Sequence, residues 1–200
     1  MTLELREFTD PQLMLMYSHG CEGAFDELFH RHRERLYRYL HRMTGDSHEA
    51  EEVLQEAFVR VARSADTYEP TAKFTTWLFR IATNRCLSHM KRRGRFKLLR
   101  FPKDMSEPEE RNPYQKARDR EVEEAFKKAV ATLDTPLRSA YVLRELEDFS
   151  YAEAAKILAL PLGTVKTHVR RARMAMRQKL SKELRTAQVA TDETSLGKGR

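Results

Sequence analysis

The sequence predicts an all-α protein made of two small helical domains joined by a flexible linker. Three observations support this fold class. Ala, Leu, Glu, Arg and Lys, which favour helices, dominate the 200 residues. The chain has only seven Gly and seven Pro, which is few for an all-β protein rich in turns. Apolar residues also recur at three- and four-residue steps over long stretches.

The first domain is predicted to span residues 10–95 and to contain three clear helices. The first ends before Gly45 and carries a periodic stripe at Phe25, Leu28, Phe29, His32, Leu36, Leu40 and Met43. Asp46 or Ser47 can cap the second helix, whose buried stripe is Ala50, Val53, Leu54, Ala57, Phe58 and Val61. A loop over residues 68–73, which includes Pro70, precedes a third helix from about Phe74 to Arg92.

The helical pattern breaks between Arg93 and Arg120. This stretch has Gly94, three prolines and dense mixed charge, a composition that cannot bury a core. We therefore expect a flexible linker over residues 96–120. The second domain is predicted over residues 121–185, and the polar residues 186–200 are expected to form a disordered tail.

The second domain ends in the layout of a helix-turn-helix. Ser150 and Glu153 have capping-box spacing and open a short helix that ends at Leu158. Residues 159–161 form a tight turn, and a basic helix continues to about Leu184. In this motif the second helix enters the major groove of DNA. A plain antiparallel helical pair is the less favoured alternative.

The helical wheel of this last helix separates an apolar face from a basic one. The apolar face is Val165, Val169, Ala172, Met176 and Leu180. The opposite face is predicted to present Lys166, Thr167, Arg170 and Arg171 to base edges. Two flanking arginines, Arg173 and Arg177, are predicted to contact phosphates.

The charge is distributed unevenly within a net charge of +7. Residues 45–59 contain five acids and no Lys or Arg, whereas residues 75–103 contain nine bases and no acid. Residues 163–185 add eight bases against a single acid. Two basic stretches predict two contacts with a polyanion, and the acidic stretch predicts a separate basic partner. Taken singly, each run is also compatible with a solvated helix surface.

Several protein classes are disfavoured by the sequence. No run of eighteen apolar residues is present, and the N-terminus lacks the order of a signal peptide. Cys21 and Cys86 stand far apart without CxxC spacing, so neither a disulfide framework nor a thiolate zinc site is suggested. We expect an intracellular, cytoplasmic protein with no cofactor and no bound metal.

Three segments together resemble the extracytoplasmic-function (ECF) sigma factors of bacterial RNA polymerase, which retain only regions 2 and 4. Residues 49–58 (EAEEVLQEAF) are similar to the signature helix of region 2, and residues 74–84 (FTTWLFRIATN) to its promoter-melting helix. Residues 162–173 (LGTVKTHVRRAR) resemble the recognition helix of region 4. The chain departs from the family pattern at the turn, where Ala159 replaces the usual Gly, and at His168, where Arg is common.

The resemblance implies a promoter-specificity subunit of RNA polymerase that is not itself an enzyme. An acidic face on the second helix would bind the clamp helices of core polymerase through Glu51, Glu52, Gln55 and Glu56. The melting helix and the loop before it would bind the −10 element and capture a flipped base, with contacts from Tyr68, Lys73, Arg80, Asn84 and Arg85. For the ring of Trp77 a core position is favoured over stacking on DNA. The basic helix near the C-terminus would read the −35 element. A cognate anti-sigma factor is expected as a further partner, and membrane insertion is not.

Three other functions are less favoured by the residues. A helix-turn-helix regulator whose first domain binds a ligand or a second copy would not need the acidic helix. A recombinase or nuclease needs a nucleophile or a carboxylate cluster, and no such motif stands out. A metal-responsive protein could use His19, Cys21, His30 and His32, but the last two point to different faces of a helix.

Overall fold

A computed structural model describes residues 5–69, 73–92 and 113–196 of the chain, and the side chains within 5–69, 73–92 and 122–181. Over these ranges the regular structure is helical and no strand is present, so the predicted all-α class is confirmed. The α-helices in chain order are α1 (Asp10–Ser18), α2 (Glu22–Thr44), α3 (Ser47–Arg63), α4 (Phe74–Arg92), α5 (Pro113–Ala131), α6 (Thr135–Tyr141), α7 (Tyr151–Leu158) and α8 (Leu162–Leu196).

The end of α2, the start of α3 and both bounds of α4 agree with the sequence prediction. Gly45 ends α2 in the left-handed conformation with φ at 71°, which glycine adopts without steric cost. The Asp46 carboxylate then accepts a hydrogen bond from the backbone N–H of Glu49 at 2.9 Å and caps α3. The predicted apolar stripes of α2 and α3 pack together in the core.

Helix α1 and the turn before it are not predicted by periodicity. The apolar residues 13–17 are consecutive, so they show no 3.6-residue repeat, although Leu13 and Met14 are fully buried. The guanidinium of Arg31 in α2 anchors this N-terminal segment by donating hydrogen bonds to three of its carbonyls, those of Leu5, Arg6 and Phe8.

Two helix boundaries differ from the prediction. Helix α5 begins at Pro113, eight residues before the predicted start of the second domain at residue 121, because residues 114–120 contain no Gly or Pro and are mostly helix formers. Proline is well tolerated at the first position of a helix. Helix α8 continues to Leu196, beyond the predicted end near Leu184, and thus covers most of the expected disordered tail. The remaining linker residues, 96–112, and the last four residues lie outside the described ranges.

A π-helical segment, Val142–Leu146, follows α6 and leads into a sharp bend. Asp148, directly after it, has φ at 55°, a left-handed conformation that is uncommon for a residue other than glycine. The bend turns the chain back so that α7 and α8 pack on α6.

The helices form two units, α1–α4 and α5–α8, which pack against each other. The rings of Phe79 in α4 and Phe149 before α7 lie 4.8 Å apart between centroids, and buried apolar residues of both units form one continuous core. Arg138 of α6 is 1% exposed and links the units, because it donates to the carbonyl of Met43 in α2 as well as to carbonyls at the end of α5.

Candidate DNA and polymerase interfaces

The helix-turn-helix has the predicted boundaries, with α7 ending at Leu158 and α8 beginning at Leu162. The Ser150 hydroxyl and the Glu153 carboxylate form the predicted capping box at the start of α7. Ala159 ends the helix with φ at 52° and ψ at 42°. Glycine is the usual residue where a helix ends in this left-handed conformation. Ala159 therefore carries the backbone strain that the departure from the family pattern suggests.

The two faces of α8 separate as the helical wheel predicts. The stripe at Val165, Val169, Ala172 and Met176 is buried against α6 and α7. The side chains expected to read base edges are all exposed, namely Lys166, Thr167, Arg170 and Arg171. The Thr167 hydroxyl donates to the Gly163 carbonyl at 2.9 Å, so its proton is engaged within the helix. The helix thus presents three cations and a small polar group in front of an apolar anchor.

The two flanking arginines differ in their surroundings. Arg177 is exposed, and its guanidinium has no hydrogen-bond or ion-pair partner among the described residues. Arg173 donates hydrogen bonds from two of its nitrogens to the carboxylate of Glu145, at 2.8 and 3.2 Å. Of these two residues, only Arg177 is therefore oriented freely toward solvent. Glu145 lies 28 positions away in the sequence, and no local pattern could have predicted this pair.

An open groove of about 530 Å³ lies between α3 and α4. Three of the residues predicted to contact the −10 element line it, namely Arg80, Asn84 and Arg85. Arg60 at the end of α3 completes the basic lining and was missed, since it lies outside the basic stretch that the sequence analysis identified. The cations of the groove come from two neighbouring helices, α3 and α4.

Trp77 combines the two roles that the sequence left open. Its ring packs against the core and lies 4.8 Å from Tyr68 and 5.7 Å from Phe74 between centroids. The same side chain also lines the groove beside Arg80. The side chain is partly buried, which agrees with the favoured core position, and it is also accessible from the groove.

Tyr68 and Lys73, on either side of residues 70–72, have different environments. The ring of Tyr68 packs against Phe74 and Trp77. Burial raises the pKa of its hydroxyl, and this hydroxyl has no hydrogen-bond partner among the described residues. Lys73 is exposed, and its ammonium lies 2.9 Å from the carboxylate of Glu153 at the start of α7. Hydrogen bonds from Lys73 and Ser150 lower the pKa of Glu153 to about 2. The predicted −10 contact Lys73 is therefore paired with the second unit.

All four predicted contact residues of the acidic helix α3 are at least partly exposed, whereas one other acid of this helix is buried. Gln55 is exposed and Glu51, Glu52 and Glu56 are partly exposed. Glu49, which contributes to the acidic run in the sequence, is instead 2% exposed and lies 3.9 Å from the buried imidazole of His89. The acidic surface is thus smaller than the sequence run implies.

Two histidines of the metal-binding alternative, His19 and His32, contact other groups of the protein. The His32 imidazole lies 2.9 Å from the Asp10 carboxylate, and the His19 imidazole contacts the carbonyl of Leu15 at 2.7 Å. Within the described ranges no three His, Cys, Asp or Glu side chains are grouped as metal ligands would be. In the same part of the chain no helix combines the length and the apolar character that crossing a membrane requires.

Two family models match the chain, one for each helical unit. Sigma-70 region 2 matches residues 28–96 and sigma-70 region 4 matches residues 123–176. The RNA polymerase sigma-H factor of Pseudomonas aeruginosa is 32% identical over 197 residues, an alignment that covers 92% of this chain and all of the relative. The ECF RNA polymerase sigma factor SigW of Bacillus subtilis is 29% identical over 172 residues, an alignment that covers 80% of this chain and 91% of that relative. The chain is an ECF RNA polymerase sigma factor.

Other similar proteins agree with this assignment. The ECF RNA polymerase sigma factor SigE of Mycolicibacterium smegmatis is 38% identical over 80% of this chain, which spans 62% of that relative. Among solved structures, CnrH in complex with the cytosolic domain of CnrY has a TM-score of 0.64 at 23% identity and covers 86% of this chain and 97% of its own. At that identity the likeness supports the fold. As an ECF sigma factor the protein directs transcription initiation and is not an enzyme.

Proposed function

We propose that three surfaces of this ECF sigma factor each bind a different partner during transcription initiation. The acidic face of α3 binds the clamp helices of core RNA polymerase, the α3–α4 groove binds the −10 element, and the basic face of α8 reads the −35 element. The observation that carries the proposal is the exposed row of Lys166, Thr167, Arg170 and Arg171 opposite a buried stripe, directly after a helix-turn-helix turn.

The polymerase contact is supported by the weak surface pairing of two acidic side chains of α3. Glu51 lies 3.7 Å from Arg33 and Glu56 lies 3.9 Å from Arg92, and both arginines are more than half exposed. Such surface pairs contribute about 0–1 kcal/mol, so a basic partner can replace them at little cost. Val59, 50% exposed on the same helix, adds apolar area that a partner would bury.

The −10 contact is supported by the composition of the groove. Arginines from α3 and α4 can follow the phosphates of a single strand, and Trp77 in the groove offers aromatic surface for an unstacked base. The ring of Tyr68 lies next to that of Trp77, 4.8 Å away between centroids. Extruding a base costs a few kcal/mol, which stacking and phosphate contacts can offset. We therefore add Arg60 to the predicted residues Tyr68, Lys73, Arg80, Asn84 and Arg85.

The −35 contact follows from the chemistry of the α8 face. Arg and Lys donate well to O6 and N7 of guanine, and the methyl group of Thr167 suits the thymine methyl. Arg177 is placed for a phosphate, whereas Arg173 is engaged by Glu145.

We also propose that the protein acts in the cytoplasm and is controlled by an anti-sigma factor. The solved structure of RpoE from Bartonella quintana, 24% identical with a TM-score of 0.64, holds the anti-sigma factor NepR, and CnrH is bound by CnrY. The likeness of fold makes a comparable partner the natural expectation for this chain.

Run-off transcription with purified core polymerase tests the proposal. We expect the protein to form a complex with core and to produce transcripts only from templates that carry matching −35 and −10 elements. Templates with a scrambled −35 element serve as the control. Failure to bind core polymerase, or equal transcription from both templates, would contradict the proposed division of roles.

A further inference from the structure

The bend between the π-helical segment and α7 inserts two side chains into a notch on the first unit. The notch is formed by Arg35 and Arg42 of α2 and by Phe79 of α4. Glu147 and Phe149, which fill it, are each 4% exposed, although they lie in a connection between helices. Connections normally run over the protein surface, so burial of both side chains against another unit is unusual.

Glu147 is held by charge-assisted hydrogen bonds from both arginines. Nη1 of Arg42 donates to one carboxylate oxygen at 2.8 Å, and Nε of Arg35 donates to the other at 3.1 Å. A second nitrogen of Arg35 donates to the backbone carbonyl of Glu147. Burial of this carboxylate is costly, and it is tolerated here because both oxygens are paired.

Phe149 completes the contact through its ring. The guanidinium of Arg35 lies 5.1 Å from the centroid of Phe149 and 5.2 Å from that of Phe79, and the two rings meet edge to face. Arg35 thus bridges an anion and two aromatic faces at once, which are favourable partners for a guanidinium.

The backbone of the bend aims these side chains at the notch. The π-helical segment ends at Leu146, and Asp148 between the two buried residues is left-handed with φ at 55°. Asp148 itself is exposed. A left-handed non-glycine residue is strained and persists only when its surroundings determine it. The docking of Glu147 and Phe149 supplies such surroundings.

The docked arrangement cannot serve both promoter elements. Elements centred at −10 and −35 are about 25 base pairs apart, or about 85 Å along B-form DNA at roughly 3.4 Å per pair. A compact chain of 200 residues has a radius of gyration of only about 16 Å. Even α8, with 35 residues, is about 52 Å long. The two units must therefore separate before both elements are bound.

From these contacts we propose that segment 147–149 is an intramolecular latch, which docks on Arg35, Arg42 and Phe79 and holds the free sigma factor closed. The latch leaves the α8 face exposed, so it controls the distance between the two DNA-binding surfaces and not access to the −35 surface. The inference rests on the proposed division of the −10 and −35 contacts between the units.

Small-angle X-ray scattering of the free, full-length chain tests the latch without DNA or polymerase. Glu147→Gln removes the anion that both arginines bind, and Asp148→Asn is the matched control, because it removes the same charge one residue away and Asn tolerates a left-handed backbone. We expect the wild type and Asp148→Asn to share one radius of gyration. Glu147→Gln should shift the opening equilibrium by at least about tenfold and increase the radius.

A charge exchange provides the second variant. Glu147→Arg should repel Arg35 and Arg42 and open the chain further, and adding Arg42→Glu should restore the closed radius. Circular dichroism checks that helicity is retained in each variant. An unchanged radius in both Glu147 variants, or a wild-type chain that is already extended, would overturn the latch.

DNA binding separates failure of the latch from failure of the proposed function. A duplex with only the −35 element should bind the wild type and Glu147→Gln equally. A probe that joins this duplex to a single-stranded −10 element should bind Glu147→Gln about tenfold more tightly. Equal binding of the joined probe would overturn the latch alone. Failure of both proteins to distinguish the −35 duplex from a scrambled one would instead contradict the proposed function.

Discussion

Arg173 of α8 and Glu145 of the π-helical segment form a two-point ion pair, with nitrogen–oxygen distances of 2.8 and 3.2 Å. The pair ties the DNA-facing helix to the segment that leads into the preceding bend. It engages a side chain whose position on the helical wheel predicts a phosphate contact. We therefore expect Arg173 to orient α8 within its unit.

Replacing Arg173 and Arg177 separately should distinguish the two roles. Arg173→Ala should lower the free energy of unfolding by up to about 1 kcal/mol, the range for an exposed ion pair. Arg177→Ala should leave stability unchanged, weaken binding to all sequences alike and reduce the salt dependence of log K by about one unit. Thermal denaturation and salt titrations of DNA binding measure both effects. If Arg173→Ala also reduced the salt dependence of log K for DNA binding, Arg173 would instead contact a phosphate.

Arg171→Ala should change sequence preference as well as affinity. The side chain is exposed on the base-reading face of α8, where a bidentate contact to guanine discriminates by roughly 1–3 kcal/mol. Affinity for a library of −35 variants should lose its preference at one or two positions. Arg177→Ala serves as the control, since its losses should be uniform. If both variants lose affinity uniformly, the basic face is a nonspecific polyanion surface.

Removing the basic lining of the α3–α4 groove should impair promoter melting. Arg80→Ala combined with Arg85→Ala should reduce permanganate reactivity of the open complex, because the displaced strand loses two phosphate contacts. Arg60→Ala should have a smaller effect in the same direction. Arg63→Ala, which removes an exposed arginine of α3 outside the groove lining, is the matched control. Footprints as strong as those of the wild type would exclude the groove from melting.

Charge reversal on α3 should weaken the association with core polymerase. Glu52→Lys combined with Glu56→Lys should slow the association rate, more at low salt than at high salt, since the attraction is electrostatic. Glu22→Lys combined with Asp26→Lys makes the same charge change at the same spacing on α2 and should have less effect. An equal response of both double variants would indicate that net charge, and not this face, governs binding.

Ala159→Gly should stabilise the helix-turn-helix by about 1 kcal/mol. Ala159 has a φ of 52°, and a left-handed conformation costs an alanine roughly 1–2 kcal/mol more than a glycine. Ala152→Gly, at an exposed position inside α7, should instead destabilise by about 1 kcal/mol. Chemical denaturation of the three proteins gives the comparison. A destabilised Ala159→Gly would show that the alanine methyl contributes more through packing than it costs in strain.

The sequence predicts well those features that depend on neighbouring residues. The stripe from Val165 to Met176, the exposed Lys166 and the cap at Ser150 follow from spacing alone, and the structure confirms them. Features that depend on distant residues were missed. Glu49 lies inside against His89 because α3 packs on α4, and Arg60 joins the groove only after these helices are assembled. Helix α1, whose apolar residues are consecutive, has no periodic signal to detect.

The docking of the two units is the largest feature without a sequence signal. Arg35 and Glu147 are 112 positions apart, and each lies among charged residues that look like solvated surface. Periodicity assigns such residues to the outside of a helix, since charged side chains are seldom buried unless paired. Only the folded chain identifies which of them are paired.

The buried guanidinium of Arg138 has a consequence for handling the protein. Among the described residues, its hydrogen-bond partners are four backbone carbonyls and no carboxylate; the carbonyls are those of Met43, Val130, Ala131 and Leu133. Burial lowers its pKa to about 10, which still leaves it charged at neutral pH. Because dissolved ions screen buried contacts far less than exposed ones, this anchor persists at ionic strengths that dissociate a basic protein from DNA. We therefore expect concentrated salt to remove nucleic acid from the protein while its helices stay assembled.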